Sequence, residues 1–427
     1  MVFKPTLDVL RHTGRLVKFH RFEPRICREL HSSCTRNVQI KNIDSEFNLR
    51  EKKETEKSDE ATKKGKTSLL REYGRLCAWN DENDLVENLF KNIVYFEPEN
   101  DKSGLVVLNK PYGLPKSTAS DAAYCLESAL PQLALKLDVP SLHVLKCCER
   151  YTSGITLLSF NKKTEELYRK SMKKVVTNRS LPSSYLAIVK GNPNISKVES
   201  VDMRLQDCPD VNEPLFGTMH KEPVLTRRLA KPWKMRQQND KTRKRVHVSV
   251  ESVCRSARDV AVVAVSPSSA GRHFLQVYLA DIGHPVLGDT MYDYRSRTLL
   301  GHKLRITAQS TARRTQQLPD HVLEAVGAAR GEEWRLPKLL HHHRLLLPAW
   351  LAGGRDLTVY APPPPHWTNT CDALELNFSF KDFCEHEKVA TYNLNPYNMD
   401  KKTRKKEKQQ KQQEVLTDLQ SNINDLS

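Results

Sequence analysis

The chain has 427 residues, 38% of them hydrophobic, with 16 Gly and a formal net charge of +17. Such totals exclude a fibrous or Gly-repeat protein and allow two or three domains at roughly 150 residues each. A surface of this sign attracts polyanions, so the expected partner is nucleic acid or an anionic membrane, unless the charge sits in basic ends around a neutral domain.

The first 36 residues carry Lys4, Arg11, Arg15, Lys18, Arg21, Arg25, Arg28 and Arg36 against Asp8, Glu23 and Glu29, with Leu7, Leu10, Val17 and Phe19 interleaved. An Arg-rich, acid-poor start of this kind, ending in His31-Ser-Ser-Cys-Thr35, resembles a mitochondrial transit peptide, expected over residues 1–45. The alternative is a basic arm that touches RNA. Residues 50–66 mix both charge signs with almost no apolar side chain and read as part of a linker over 46–84. No apolar run approaches the roughly 18 residues needed to cross a bilayer, so no membrane span is expected.

Folding signal begins near Leu85. Strand signals follow at Ile93–Phe96 and Leu105–Leu108, then a helical spacing over Lys162–Val175 with Leu167 and Met172 on its apolar side. Further strands are predicted at Tyr185–Val189, Val246–Val253, Val260–Val265, Phe274–Leu279 and Leu357–Tyr360. Many strands with few helical segments predict an α+β domain over 85–380, built on a mixed, largely antiparallel central sheet with flanking helices and loops. Residues 296–337 lack periodicity and read as an insertion over the core. A basic tail is expected over 381–427, densest in the run 401–412.

The ten Cys form no CxxC pair, and a reducing compartment with free thiols fits them best. Cys147 beside Cys148 suggests a thiol nucleophile less readily than two buried small side chains. His341-His342-His343 could bind a metal, but neighbours on a strand alternate faces, so a loop or strand-end role is the plainer expectation. In the basic stretch from Arg227 to Arg245, the candidates for RNA contact are Arg227, Arg228, Lys231, Trp233, Lys234 and Arg236, cations for phosphates and an aromatic for a base.

Four segments carry a sharper signal, and a fifth supports them. Leu105 to Pro115 (LVVLNKPYGLP) is a buried strand ending in a Pro/Gly-fixed turn. Lys146 to Ser159 (KCCERYTSGITLLS) sets a carboxylate before a Thr-Ser-Gly turn and an apolar strand. Ser183 to Gly191 (SSYLAIVKG) and Pro267 to Tyr292 (PSSAGRHFLQVYLA, then GHPVLGDTMY) follow in order. Leu340-His341, with Leu357-Thr-Val-Tyr-Ala-Pro362, makes the fifth. In this order, over about residues 90–367, they resemble the RluA-like RNA pseudouridine synthases.

The resemblance implies the pseudouridine synthase fold and isomerisation of uridine in mitochondrial rRNA or mRNA, with neither cofactor nor metal. It puts Glu149 at the position of the family's catalytic Asp, followed by the loop residues Arg150, Thr152, Ser153 and Gly154. Tyr185 matches the aromatic that stacks on the target base. His273 keeps its motif position, while Gln276 stands where the family has the Arg that pairs with the carboxylate. Two functional readings follow. One is a synthase in which Glu149 acts, with Arg150 or Lys146 supplying the charge. The other is a non-catalytic RNA-binding or mitochondrial ribosome-assembly factor.

Overall fold

The computed structural model describes residues 69–97, 104–118, 122–209, 219–226, 243–293, 296–299, 302–305 and 316–392. The expected targeting segment, the linker up to residue 68, the six candidate RNA contacts between Arg227 and Arg236 and the tail beyond 392 lie outside those residues. In chain order the elements are α1 (Leu69–Tyr73), α2 (Glu82–Lys91), β1 (Ile93–Glu97), β2 (Leu105–Lys110), α3 (Leu126–Lys136), β3 (His143–Lys146), β4 (Ser153–Ser159), α4 (Lys162–Asn178) and β5 (Ser183–Lys190). They continue with β6 (Ser196–Pro209), β7 (Met219–Thr226), β8 (Arg243–Ser256), β9 (Val260–Pro267), α5 (Phe274–Asp281), β10 (Ser296–Leu299) and β11 (His302–Arg305). Last come α6 (Asp320–Val326), β12 (Leu340–Leu347), β13 (Leu357–Tyr360), α7 (Pro365–Ala373) and α8 (Phe380–His386).

One sheet holds eleven of these strands in the order β1-β2-β4-β12-β5-β9-β8-β6-β7, with β3 added on β4 and β13 on β12. Its pairings are antiparallel except that of β12 with β4. The α+β class and the largely antiparallel sheet follow the sequence pattern. Alternation along β5 and β9 feeds two cores. Leu186, Ile188, Val260 and Val262 join Val322, Leu323 and Val326 of α6 and Trp367 of α7 on one side. On the other, Tyr185, Ala187, Val189, Ala261, Val263 and Val265 meet Phe274, Leu275, Tyr278 and Leu279 of α5. With both faces covered, such strands read as continuous apolar runs.

Four expectations change. The strand predicted at Phe274–Leu279 is helix α5. Every residue from Phe274 to Ala280 is buried, so no polar face marks a helical period, and a short apolar run looks the same in either state. Residues 316–337 are core rather than a covering insertion, since α6 buries Val322, Leu323 and Val326 under the sheet. The three adjacent histidines lie inside β12, all fully buried, and not in a loop or at a strand end. The packed unit also begins before Leu85 and runs beyond 380. Leu70 and Tyr73 of α1 are buried, and the Tyr73 hydroxyl meets Thr370 Oγ1 at 2.6 Å. Tyr392 stacks on His247 at 3.8 Å. Both anchors pair residues far apart in sequence, which local periodicity cannot register.

The segment after α8 is fastened by charge. A register shift in β12 between His342 and Arg344 turns His343 toward Glu387. His343 Nε2 lies 3.0 Å from Glu387 Oε2, and an Arg344 guanidinium nitrogen lies 3.4 Å from Oε1. All three side chains are buried, at 0%, 1% and 8% exposure. Removing one partner of such a group strands the others without compensation. Glu387→Ala should therefore cost about 3–5 kcal/mol in urea unfolding, whereas a loss below about 1 kcal/mol would show that the cluster holds nothing.

Candidate active site

Two turns meet at the end of β2 and the start of β4. Lys110 is fully buried, and its Nζ donates to the carbonyls of Pro111 and Leu114 at 3.0 Å and of Arg150 at 3.2 Å. A buried ammonium needs such acceptors to offset its lost hydration. Arg150 Nε donates to the Gly113 carbonyl at 3.1 Å, and Gly113 N–H donates back to the Arg150 carbonyl at 2.9 Å. The Arg150 guanidinium also stands 4.9 Å from the centre of the Tyr151 ring. Thr152 N–H closes the second turn on the Glu149 carbonyl at 3.1 Å. Glu149 is thus presented on a loop whose backbone is tied at several points.

Sheet register sets the next side chains. Gly154 on β4 and Tyr185 on β5 both face His342 on the β12 strand between them. Gly154 sits at φ +113°, and a Cβ there would stand 2.3 Å from the His342 carbonyl oxygen, so no larger residue fits. The Tyr185 ring lies parallel on the His342 ring, centroids 4.3 Å apart and planes 14° apart. His342 Nδ1 meets the Ile155 carbonyl at 3.1 Å, and burial pushes its imidazole well below the usual histidine range. A neutral ring therefore backs one face of Tyr185. Ser153 Oγ meets His341 Nδ1 at 2.9 Å, which fixes the neighbouring position of the same strands.

The third component is the amino end of α5. Arg272 and His273 both adopt left-handed backbone, at φ 61° and 56°, and turn the chain from β9 into the helix. His273 N–H donates to Glu149 Oε1 at 3.2 Å. Gln276 Nε2 donates to Oε2 at 2.9 Å, and His273 Nδ1 lies 3.1 Å from that same oxygen. An ionised carboxylate only accepts, so Nδ1 carries the proton. Burial by itself would raise the Glu149 carboxyl; the His273 hydrogen bond and charge, the Gln276 amide and the Lys338 charge outweigh it and hold the group at about 2. The side chain keeps 31% of its surface exposed, so the ionised group is open to an incoming molecule.

A wall completes the site. Gly288, at φ +79°, lets the chain pass the Pro337 carbonyl, which a Cβ would approach to 2.1 Å. Asp289 Oδ1 then accepts from Met291 N–H at 2.9 Å and Tyr292 N–H at 3.3 Å, and the Tyr292 ring reaches to 5.8 Å from that of His273. Lys338, nearly buried, acts electrostatically on both Glu149 and Asp289.

The structure brings together Glu149, His273 and Gln276, places Tyr185 behind them, and uses Arg150, Thr152, Ser153 and Gly154 to shape the loop. Neither residue expected to supply charge has that arrangement: Arg150 is tied to Gly113, and Lys146 Nζ donates to Ser183 Oγ at 2.7 Å. Burial pushes the Lys146 ammonium down to about 8. Sequence reading missed Lys110 and Lys338, and weighed His342 only as part of a histidine run that could bind a metal. The turn motif around Lys110 was visible, though not the ammonium inside it; nothing local marks Lys338. Cys148 donates from Sγ to the Thr152 carbonyl at 3.1 Å and serves the turn.

No family model matches the chain. It is 29% identical over 283 residues to the mouse "Mitochondrial mRNA pseudouridine synthase Rpusd3", covering 65% of this chain and 76% of that protein. It is 26% identical over 318 residues to the bovine "Pseudouridylate synthase RPUSD4, mitochondrial", covering 72% and 75% respectively. The chain is thus similar in sequence, at 26–29% identity, to proteins named as mitochondrial pseudouridine synthases. A solved structure, "Human RNA Pseudouridylate Synthase Domain Containing 4", aligns at 21% identity with TM-score 0.48, over 70% of this chain and 98% of that one.

The depressed Glu149 carboxyl has a measurable consequence for stability. Between roughly pH 4.3 and 2 the unfolded chain binds a proton at Glu149 that the native chain does not, so stability falls as pH drops through that window. Glu149→Gln should flatten this part of the acid-unfolding curve relative to the parent protein. Superimposable acid slopes would contradict an ionised, hydrogen-bonded carboxylate.

Proposed function

We propose that the chain is an RNA pseudouridine synthase that isomerises uridine in mitochondrial rRNA or mRNA, with Glu149 as the carboxylate at the reacting centre and the matrix as its compartment. The observation that carries this reading is the ionised, half-open Glu149 carboxylate held at two oxygens by His273 and Gln276. Sequence kinship to proteins named as mitochondrial pseudouridine synthases supports the reaction class and the compartment. The Arg-rich start of the chain agrees with that address.

The reaction breaks the bond between N1 of uracil and C1′ of ribose, turns the base and joins C5 to C1′, with the C5 proton lost to solvent. A carboxylate serves either by capturing the sugar as nucleophile or by removing a proton from it, and the C5 proton leaves to a base in both cases. Ionisation at about 2 keeps Glu149 ready for either role at neutral pH. Tyr185, backed by His342 and only 4% exposed, is the aromatic against which a base taken out of its stack would lie once the site opens to admit it. Net charge +17 attracts the phosphate backbone, and Arg227, Arg228, Lys231, Lys234 and Arg236 are the proposed contacts, with Trp233 as a stacking surface.

Tritium release from RNA labelled at C5 of uridine tests the reaction. The parent protein should release label, and Glu149→Ala should slow release by at least about 10²-fold. Release by Glu149→Ala at the parent rate would remove the carboxylate from the mechanism. A parent that binds RNA and releases nothing would instead fit the RNA-binding or assembly role. Replacing the five basic residues by Ser should make log affinity fall less steeply with log salt, by up to about 0.7–0.9 in slope for each phosphate they neutralise. An unchanged slope would place RNA binding elsewhere on the chain.

A further inference from the structure

Glu149 is gripped by the first turn of a helix rather than by a side-chain guanidinium. His273 is the residue before α5, and Gln276 is the third residue within it. Helix α5 has no side-chain cap of its own and no acidic residue in its first turn. Glu149, reaching across 124 positions of sequence, accepts the His273 N–H at that end. Aligned peptide dipoles leave partial positive charge there, so a carboxylate and a helix amino end stabilise each other. The Gln276 amide adds a neutral donor to the oxygen that His273 Nδ1 also approaches.

The lengths of the two side chains are complementary. Relative to the family pattern, position 149 carries one methylene more, and position 276 carries a shorter, uncharged side chain. With Asp at 149 alone, the carboxylate would retreat by about one C–C bond, roughly 1.5 Å, and the 2.9 Å hydrogen bond with Gln276 would open beyond bonding range. With Arg at 276 alone, the longer group would press on a carboxylate already at hydrogen-bond distance, from a position that is 1% exposed. We infer that Gln276 is a positioning residue for Glu149, and that the two are matched in length so that neither can be exchanged without the other. The amino end of α5 then joins the His273 and Lys338 charges as a source of positive potential at the carboxylate, in place of a fixed cation at 276. This rests on Glu149 being the reacting carboxylate.

The experiment is a double-mutant cycle on the full chain: parent, Glu149→Asp, Gln276→Arg and the double variant. Each is read by kcat and KM for tritium release and by titration of the residue 149 carboxyl with carbon-13 NMR. Each single exchange should lower kcat by at least about tenfold with KM within about twofold, and the double variant should regain at least about tenfold over Glu149→Asp. Gln276→Glu keeps the side-chain shape, and so tests the interaction even if Gln276→Arg fails to fold. It should raise the Glu149 titration by about one pH unit or more, because a like charge replaces a donor. Decreases in kcat that multiply in the double variant, or a Glu149 titration unmoved by Gln276→Glu, would overturn the inference. If the parent releases no tritium, the synthase reading fails, and the carboxyl titrations alone decide whether Gln276 positions Glu149.

Discussion

The meeting of the Glu149 carboxylate with the amino end of α5 is the constraint on which the site depends. Partial burial alone would drive this carboxylate toward its neutral form. Compensation requires that two segments 124 residues apart meet to within a few tenths of an ångström. Several otherwise unrelated features serve that meeting. Lys110 and Arg150 lock the loop that carries Glu149, and two consecutive left-handed residues aim α5 at it. Gly288 then lets the segment carrying Lys338 come close, adding a buried positive charge shared with Asp289.

Behind the carboxylate stands a strictly registered patch of sheet. β12 is the strand that pairs in parallel with β4 and in antiparallel with β5, and it therefore aligns Gly154 and Tyr185 on the single residue His342. Burial holds His341 at about 3 and His342 well below ordinary histidine, so both are neutral and neither competes with the donors at Glu149. His343, displaced by the register shift, faces Glu387 and closes the far end of the domain instead. Three identical neighbours thus have three unrelated roles, set by which surroundings each one meets.

How much of this was legible in the sequence depended on the range of the interaction. Strands at 93–97, 105–110, 183–190, 243–256 and 260–267 announced themselves through β-branched runs bounded by turn residues, because strand propensity and turn chemistry are local. Glu149 and Tyr185 were singled out by motif position as expected site residues, and their proximity follows from the strands that β12 joins. Helix α5 was misread because full burial erases the polar face that reveals a helical period. That error hid the hydrogen bond of Gln276 to Glu149, since a residue three past His273 lies near it on a helix and far along a strand. Lys338 and His342 were equally hidden, being placed only by how β12 inserts between β4 and β5.

By itself, the sequence determined the fold class, the strands β1, β2, β5, β8, β9 and β13 and the two turns at the site, and it named Glu149 as the carboxylate only as an expectation. These rest on interactions between residues a few positions apart, or on motifs that keep their spacing. Only the tertiary structure decided what holds that carboxylate. Electrostatic potential at a point is a sum over groups brought there by folding, and a neutral Gln beside a helix end differs from a neutral Gln on a strand in a way no local pattern records.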